Sequence, residues 1–182
     1  MNNVARPFIN GQWLEEAGRE VWDVINPYSN EKIGTQIIVS AEDTELALQS
    51  AVGAKKEIAS IAIYERAQIL EKAAHLLAER KEQFATLIAI ELGKPIKNTL
   101  DEVARSIETL QLSAEEAKRL HGETIAGESS ERGVNAQAMT FRVPVGVIAA
   151  ITPFNAPLNL VCHKIGPAFA GGNVSILKPA PQ

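Results

Sequence analysis

The stretch VIAAITPFNAPLNLVCHKIGPAFAGGNVSILKPAPQ, Val147 to Gln182, decides the fold of this chain. It begins with a continuous apolar run, Val147 to Ile151, and contains a second, Val174 to Leu177. Between them, Pro157 to Ala170 is typical of a helix, and Gly171-Gly172-Asn173 predicts a turn. Continuous apolar strands joined by a helix are typical of a parallel sheet. We therefore expect a β-α-β crossover with a ligand site at the carboxyl ends of its strands.

Upstream of this stretch, short strands are expected to give way to helices. The segments RPFING, VWDVINPYSNEKIG and TQIIVS carry strand and turn residues, so residues 1–40 are predicted to be β-rich. Ser40 followed by Asp43 is typical of a helix N-terminus and predicts a helix to about Ile58. Three more helices are expected: from Tyr64, over Phe84 to Leu92 before the stop signal Gly93-Lys94-Pro95, and from about Lys97 to Leu120.

Apolar residues spaced three and four apart mark the core face of these helices. The candidates are Ala67, Ile69, Leu70, Ala73, Ala74, Leu76 and Leu77 in the second helix, and Val103, Ile107, Leu110 and Leu112 in the fourth. A polar turn over Glu128 to Asn135 then leads into QAMTFRVPVGVIAAIT, which is expected to be β-rich.

Composition and charge exclude several classes of partner. The chain has 182 residues and a net charge of −4, with basic residues scattered among acidic ones, so neither nucleic acid nor a membrane surface is an expected partner. Its longest apolar run, Val143 to Ile151, is broken by Pro144 and Gly146 and is far shorter than the ~20 residues that span a bilayer. A single cysteine excludes an internal disulfide framework. Because the N-terminal sequence also lacks the apolar core of a secretory signal, a cytoplasmic location is expected.

Two common phosphate-binding motifs do not fit this chain. Gly166 and Gly171 have the spacing of P-loop glycines, but Gly172-Asn173 stands where Lys and Ser or Thr are needed, which excludes a P-loop nucleotidase. No G-x-G-x-x-G pattern opens a helix after a strand, so the usual dinucleotide fingerprint is missing as well. The expected role of Gly171 and Gly172 is a helix end and a turn.

Asn155 and Lys178 are polar residues that follow or end the two predicted strands. Asn155 comes just before Pro157, so it could cap the next helix, or its amide could donate a hydrogen bond to a developing oxyanion at the strand end. Lys178 could be simply solvated, or its ammonium could bind ribose hydroxyls or a phosphate in the crevice. The residues alone leave both alternatives open at each position.

The cysteine and the histidines are weaker candidates. Cys162 and the adjacent His163 suggest a nucleophile and a base, but neighbours on a helix point ~100° apart and do not face each other. Cys162 also lies in an apolar run, which is typical of a buried residue rather than a catalytic one. His75 and His121 belong to no pattern with metal-ligand spacing, so no metal site is expected.

The segment PVGVIAAITPFNAPLNLVCHKIGPAFAGGNVSILKPAPQ, Pro144 to Gln182, resembles the NAD(P)-dependent aldehyde dehydrogenase superfamily. Further resemblance lies in FINGQW, in VINPYSNEKIG and in ELGKP, Glu91 to Pro95. Within the superfamily, PLNL followed by HKIGPAFAGGN is most similar to the branch that acts on lactaldehyde and related short polar aldehydes.

The resemblance implies an α/β fold, namely the N-terminal part of the aldehyde dehydrogenase fold with a helical layer and an incomplete Rossmann-like parallel sheet. It divides the chain into a β-rich N-terminal segment (1–40), a helical region of the cofactor domain (41–122), a β-arm segment (123–143) and the truncated start of a Rossmann-like β-α-β unit (144–182).

Roles for individual residues are also implied by the resemblance. Asn155 matches the family's catalytic oxyanion asparagine. The matches to cofactor-binding positions are Ile151, Thr152, Pro153, Phe154, Lys178, Pro179, Ala180 and Pro181, and those to the substrate tunnel are Ala156, Leu160 and His163. The cofactor is NAD or NADP. Many NAD-preferring members have a glutamate where this chain has Pro181, so the choice between the two stays open.

The implied reaction is oxidation of a small aldehyde to a carboxylic acid. A cysteine thiolate attacks the aldehyde to give a thiohemiacetal, a hydride passes to the nicotinamide, and glutamate-activated water hydrolyses the thioester. In the family that cysteine and that glutamate lie beyond the position matching Gln182, and Cys162 does not match the nucleophile. We therefore expect a fragment of an oxidoreductase that is inactive on its own.

Two alternatives to that function stay open. The chain could be a natural non-catalytic protein that associates through its helical face, or part of a relative that passes the acyl group to coenzyme A. Two parallel strands without the rest of their sheet would leave an apolar face and an unpaired edge exposed. A homo-oligomer is therefore expected.

Overall fold

The N-terminal segment consists of short strands in the computed structural model, which describes residues 4–16 and 18–180. The strands are β1 (Val4–Ala5), β2 (Phe8–Ile9), β3 (Gln12–Trp13), β4 (Val21–Ile25) and β5 (Lys32–Ile37). The strands β2 and β3 form an antiparallel hairpin, and a three-stranded sheet has the order β1-β5-β4. The predicted β-rich beginning is confirmed.

Four helices follow, as the sequence predicts. They are α1 (Ala41–Ser60), α2 (Ile63–Glu79), α3 (Lys81–Leu92) and α4 (Ile96–Ala117). Ser40 begins α1 with a capping box, since its Oγ accepts from the Asp43 N–H at 3.1 Å and the Asp43 carboxylate accepts from the Ser40 N–H at 3.0 Å. Gly93 ends α3 in the left-handed conformation, with φ of 63°, which a glycine adopts without strain.

Three predicted core residues are wrong, and one helix boundary moves. Leu112, Ile69 and Leu76 are 58%, 48% and 40% exposed. Each lies two positions after a buried residue, which places it about 200° around the helix and on the outer face. The helix α4 ends at Ala117 rather than Leu120, because the Lys118 N–H closes a tighter last turn on the Glu115 carbonyl at 3.2 Å.

Helices α2, α3 and α4 share one buried core, to which α5 (Pro157–Ala170) also contributes. This core consists mainly of alanine and leucine side chains, so the helices can approach closely. Its buried members are Ala67, Leu70, Ala74, Leu77, Ala85, Ile88, Val103, Leu110, Ala114, Ala117, Cys162 and Ala170. The predicted core residues Ala73 and Ile107 are partly buried against it.

The segment between α4 and the parallel sheet is only partly β-structured. Strands β6 (Thr124–Ala126) and β7 (Gln137–Met139) pair antiparallel, and two single-turn 3-10 helices lie between them. Within the stretch predicted to be β-rich, strands occupy Gln137–Met139 and Val147–Ile151, and residues 140–146 between them form no strand. Pro144 has no N–H to donate to a ladder, and Gly146 has a φ of 120° that breaks the extended conformation.

The decisive stretch folds as predicted into a β-α-β unit. Strand β8 (Val147–Ile151) leads into α5, and β9 (Val174–Lys178) pairs with β8 in parallel. The register runs from Val147 opposite Val174 to Ile151 opposite Lys178, so both strands end at the same edge. The mixed α/β class is confirmed, and the division of the chain into four segments stays a prediction.

Gly172 allows the chain to turn closely against α2 before β9 begins. Its φ is 77°, and a Cβ at this position would lie 2.6 Å from Nη1 of the buried Arg66. A side chain here would therefore be strained and would displace the guanidinium. This close approach fixes where β9 begins relative to the helical layer.

Candidate functional site

The carboxyl ends of β8 and β9 bring three of the predicted site residues together. Ile151 pairs with Lys178, and the Thr152 N–H donates to the Lys178 carbonyl at 3.2 Å. Thr152 is buried, whereas Ile151 and Lys178 are exposed. The edge therefore presents one apolar side chain and one ammonium to a ligand.

A short turn connects β8 to α5 and carries Asn155. Pro153, Phe154 and Asn155 are exposed, and Ala156 is the residue that precedes the helix. The Asn155 carbonyl accepts a hydrogen bond from Lys94 Nζ at 2.8 Å, so the backbone is held while the side-chain amide lies at the surface. The amide is thus available to a ligand at the strand end.

The predicted substrate-lining residues follow one face of α5. Ala156, Leu160 and His163 are spaced by four and three, which places them on the same side of a helix. The Leu160 N–H donates to the Ala156 carbonyl at 3.0 Å, Leu160 is half-buried, and His163 is exposed. These positions extend from the Asn155 turn along the helix, and their contact with a substrate stays a prediction.

Beyond β9 the predicted cofactor-binding residues are only partly described. Pro179 is exposed and Ala180 is half-buried directly after Lys178. Pro181 lies outside the described residues.

Cys162 has the environment of a structural thiol. It is 3% exposed within the helical core. Burial raises the pKa of the Cys162 thiol to about 11, although a hydrogen bond with Ser106 acts in the opposite direction. The thiol is therefore protonated at neutral pH. The adjacent His163 is exposed on another face of α5, as the helical geometry predicts.

Sequence reasoning missed two residues that hold the Asn155 turn, Glu102 and Lys94. Glu102 of α4 is fully buried, and its Oε2 accepts from Lys94 Nζ at 2.9 Å. Its Oε1 accepts from the N–H groups of Leu158 and Asn159, at 3.1 and 3.5 Å, in the first turn of α5. A signal was present: a glutamate next to Val103 on the buried stripe of α4 is unusual, because glutamate is almost never buried unless it is paired.

An open depression beside the turn contains a second cation. It is lined by Lys94, Asn98, Asp101, Ala104 and Arg105. Arg105 is exposed, and its guanidinium makes no ion pair with any residue that the structure describes. The depression shares Lys94 with the Asn155 turn, so a free guanidinium lies near the same end of α5.

The described residues contain neither a cluster of metal ligands nor a membrane-spanning helix. Among residues 4–16 and 18–180, no group of three His, Cys, Asp or Glu side chains could hold a metal ion. Over the same residues, no helix is long and apolar enough to cross a membrane.

The strand edge exposes one ammonium and two apolar side chains. Lys178 is exposed, and Ile151 and Phe154 are 64% and 62% exposed. The ribose and the ring of a dinucleotide call for groups of these kinds, and the binding of a cofactor here stays a prediction. Parallel strands of an α/β sheet bind ligands at their carboxyl ends, where these residues lie.

Comparison with known proteins gives one consistent result. The model of the aldehyde dehydrogenase family matches residues 13–182. The chain is 47% identical over 173 residues to the 3-sulfolactaldehyde dehydrogenase of Priestia aryabhattai, and 42% identical over 173 residues to the lactaldehyde dehydrogenase of Methanococcus vannielii. Each alignment covers 95% of this chain and 35% of the relative, so the chain spans about a third of the length of these proteins.

A solved structure agrees with the sequence comparison. The NADP-dependent glyceraldehyde-3-phosphate dehydrogenase of Bacillus halodurans C-125, complexed with NADP, superimposes with a TM-score of 0.92 at 38% identity. The match covers 99% of this chain and 38% of that protein. The fold described above therefore corresponds to one part of that larger subunit.

Proposed function

The chain belongs to the aldehyde dehydrogenase family, and we propose that it is the N-terminal part of an NAD(P)-dependent aldehyde dehydrogenase. In this proposal it supplies the oxyanion asparagine and one half of the cofactor site. The observation that carries the proposal is the position of Asn155, whose exposed amide follows β8 at the edge where Lys178 ends β9.

Each side chain at the edge has a defined task. The Asn155 amide donates a hydrogen bond to the aldehyde oxygen as negative charge develops on it, and its backbone is already held by Lys94. Lys178 binds ribose hydroxyls, and the strand end from Ile151 to Phe154 lies along the nicotinamide half. Bound NAD or NADP supplies the hydride acceptor.

The nucleophile and the base are proposed to lie in the remainder of the complete protein, the product of the whole gene. Cys162 is buried and its pKa is raised, so it is unsuited to attack an aldehyde. A thiolate from elsewhere forms the thiohemiacetal, and a carboxylate activates water for hydrolysis of the thioester. The 182-residue chain alone is then inactive.

Removal of the Asn155 amide in the complete protein tests the oxyanion role. Asn155→Ala is expected to lower kcat for aldehyde oxidation by about 10²- to 10³-fold, because one donor to the oxyanion is lost. Gln111→Ala, which removes an exposed amide from α4, is the matched control and should leave kcat unchanged. An Asn155→Ala variant with the kcat of the unmodified enzyme would rule out the proposed role.

The isolated chain tests the location of the nucleophile. No aldehyde-dependent formation of NADH or NADPH is expected from the 182 residues alone. A robust rate that survives Cys162→Ala would show that the nucleophile and base have been placed wrongly.

A short polar aldehyde that carries an anionic group is the proposed substrate class. The relatives named above act on 3-sulfolactaldehyde, lactaldehyde and glyceraldehyde 3-phosphate, and two of these carry an acidic group. The free guanidinium of Arg105, beside the Asn155 turn, is suited to such a group. In the complete protein, Arg105→Leu should lower kcat/KM for 3-sulfolactaldehyde by roughly tenfold to a hundredfold and leave lactaldehyde unaffected.

Arg132→Leu, which removes an exposed arginine from the 3-10 helix Glu131–Gly133, is the control for that experiment. If Arg105→Leu lowers kcat/KM equally for 3-sulfolactaldehyde and lactaldehyde, an anion-binding role is contradicted. If coenzyme A is required for turnover, the acyl-transferring alternative is correct instead.

Self-association of the chain is the proposed assembly state. Phe141, Val143 and Val145 are 76%, 77% and 85% exposed just before β8, and Ile151 is exposed at its end. An apolar segment of this kind is normally covered by another surface. Light scattering over a wide concentration range should show an oligomer, and a clean monomer throughout would count against it. A cytoplasmic location stays a prediction.

A further inference from the structure

Glu102 is a buried carboxylate whose partners all lie close to the Asn155 turn. Its side chain is among the largest fully buried ones in the described part of the chain, although it belongs to a residue type that is usually exposed. Burial of a carboxylate is strongly unfavourable unless a cation and hydrogen-bond donors compensate it. The donors here are Lys94 and two amides of α5.

The two amides identify what the carboxylate does for α5. Helix α5 begins after Ala156, which has no side chain that could cap it, and Pro157 occupies the first helical position. The next two N–H groups, of Leu158 and Asn159, point at Glu102 Oε1. These are the positions that an N-cap side chain normally serves. Glu102 therefore caps α5 from another helix, and its charge also suits the positive end of the helix dipole.

Lys94 connects this cap to Asn155. Its Nζ donates to Glu102 at 2.9 Å and to the Asn155 carbonyl at 2.8 Å. Residues 154–156 form an irregular bend, so the hydrogen bond from Lys94 is what holds the Asn155 backbone in the described part of the chain. One carboxylate and one ammonium thus fix the chain on both sides of Ala156.

We propose that Lys94 and Glu102 form a clamp that orients the Asn155 amide, so that both are positioning residues for the reaction although neither touches the substrate. This inference rests on the proposed function, because it assigns Asn155 a catalytic task. The clamp acts through the first turn of α5 and the carbonyl of Asn155. Loss of its charge is expected to reduce kcat rather than substrate binding.

Glu102→Gln is the sharpest variant for testing the clamp. It keeps the size of the side chain, but its amide group can no longer accept from both Lys94 and the helix amides. Glu108→Gln, at an exposed position of the same helix, is the matched control. In the complete protein, Glu102→Gln should lower kcat by about 10- to 100-fold with an unchanged KM for the cofactor.

A double-mutant comparison separates orientation from general damage. If the clamp acts through the Asn155 amide, Glu102→Gln should lower kcat in the unmodified enzyme but have little further effect in the Asn155→Ala background. An equal loss in both backgrounds would overturn the inference. If Asn155→Ala itself has no effect on kcat, the proposed function fails instead.

Whether Glu102 caps α5 can be tested by a measurement that does not depend on enzyme activity. In the 182-residue chain, Glu102→Gln should speed amide hydrogen exchange at Leu158 and Asn159 by about tenfold and leave α2 unchanged. Unchanged exchange at both amides would overturn the clamp itself.

If Glu102→Gln does not accumulate as a folded protein, Lys94→Arg provides the same kinetic test. It keeps the charge beside Glu102, but the longer guanidinium holds its donors in a rigid planar fork, which disturbs the geometry of the two bonds made by the compact ammonium. A fall in kcat that disappears in the Asn155→Ala background supports the clamp, and an unchanged kcat contradicts it.

Discussion

The side of α5 that packs against α4 is buried, whereas the sheet edge next to α5 is exposed. Against α4, the helix is closed: Cys162 is 3% exposed, Glu102 is fully buried, and Gly166 lies so close to Ser113 that a Cβ would be 2.7 Å from its Oγ. At the sheet edge, the chain is open, with Ile151 64% and Leu177 40% exposed.

This difference separates positioning from contact with ligands. Glu102, which holds the first turn of α5, is buried on the α4 side, and the half-buried Lys94 bonds both to it and to the Asn155 carbonyl. The residues proposed to meet cofactor and substrate lie on the open side. The stability of the chain should therefore depend on the α4–α5 contact far more than on the exposed edge.

The largest expected effect concerns the closed side. Leu110→Ala removes a side chain that is 6% exposed in the helical core and should lower the free energy of unfolding by about 2–5 kcal/mol. Leu112→Ala on the same helix, where the side chain is 58% exposed, should change it by less than about 0.5 kcal/mol. Denaturant unfolding of both variants measures this. Equal losses of unfolding free energy would show that Leu110 is not packed in a buried helical core as described.

A smaller effect is expected from filling the contact between the two helices. Gly166→Ala places a methyl group 2.7 Å from Ser113 Oγ and 3.3 Å from its Cβ, and overpacking of this kind costs about 1–3 kcal/mol. The gain in helix propensity offsets at most about 1 kcal/mol. Adding Ser113→Ala should restore part of the lost unfolding free energy, because it removes Oγ, the atom closest to the new methyl group.

Gly53→Ala is the control for that experiment. Gly53 lies within α1, and a Cβ there would meet nothing within 4 Å. This substitution should stabilise the chain by about 0.5–1 kcal/mol, since alanine favours the helix. Thermal unfolding that finds Gly166→Ala as stable as Gly53→Ala would contradict close packing of α4 against α5.

The smallest expected effect is a pH response outside this contact, at the ion pair of Arg19 with Asp43. The bond is 2.8 Å long, and the Arg19 guanidinium, followed by the Ser40 N–H, lowers the pKa of Asp43 from 3.8 to about 2. A carboxylate with a lowered pKa in the folded state stabilises it fully above its unfolded pKa and loses that contribution as the pH falls toward the folded one. The pair should therefore lose its contribution between about pH 4 and pH 2.

Arg19→Met tests that window. The difference in unfolding free energy between the unmodified chain and the variant should shrink as the pH is lowered through it. Lys32→Met, which breaks a pair with Asp23 that is half exposed on both sides, should have little effect at any pH. A constant difference for Arg19→Met from pH 5 to pH 2 would exclude the ion pair as the cause.

Much of the fold was predictable because its signals are local. The apolar runs of β8 and β9, with Pro157 at the start of α5, specify the β-α-β unit by composition alone, and Ser40 and Gly93 mark helix ends. The core prediction for Leu112 is wrong because it follows from apolar character alone: Leu112 lies two positions after the buried Leu110 and so on the other side of the helix.

The clamp was not predictable from local pattern. Glu102 meets amides 56 and 57 positions away, and Lys94 meets a carbonyl 61 positions away, so their partners become visible only when α4 packs on α5. Asn155 and Lys178 were identified because they adjoin strand ends. Their catalytic and cofactor-binding roles stay predictions.

A crystal structure of the Glu102→Gln variant of the complete protein tests the central claim most directly. The claim is that buried charge on the α4 side positions the Asn155 turn. We predict that Lys94 releases the Asn155 carbonyl and that the turn at residues 154–156 shifts by about 1 Å, while α2 and α3 superimpose on the unmodified protein. A turn that superimposes as well as those helices do, with Lys94 still bonded to Asn155, would contradict the claim.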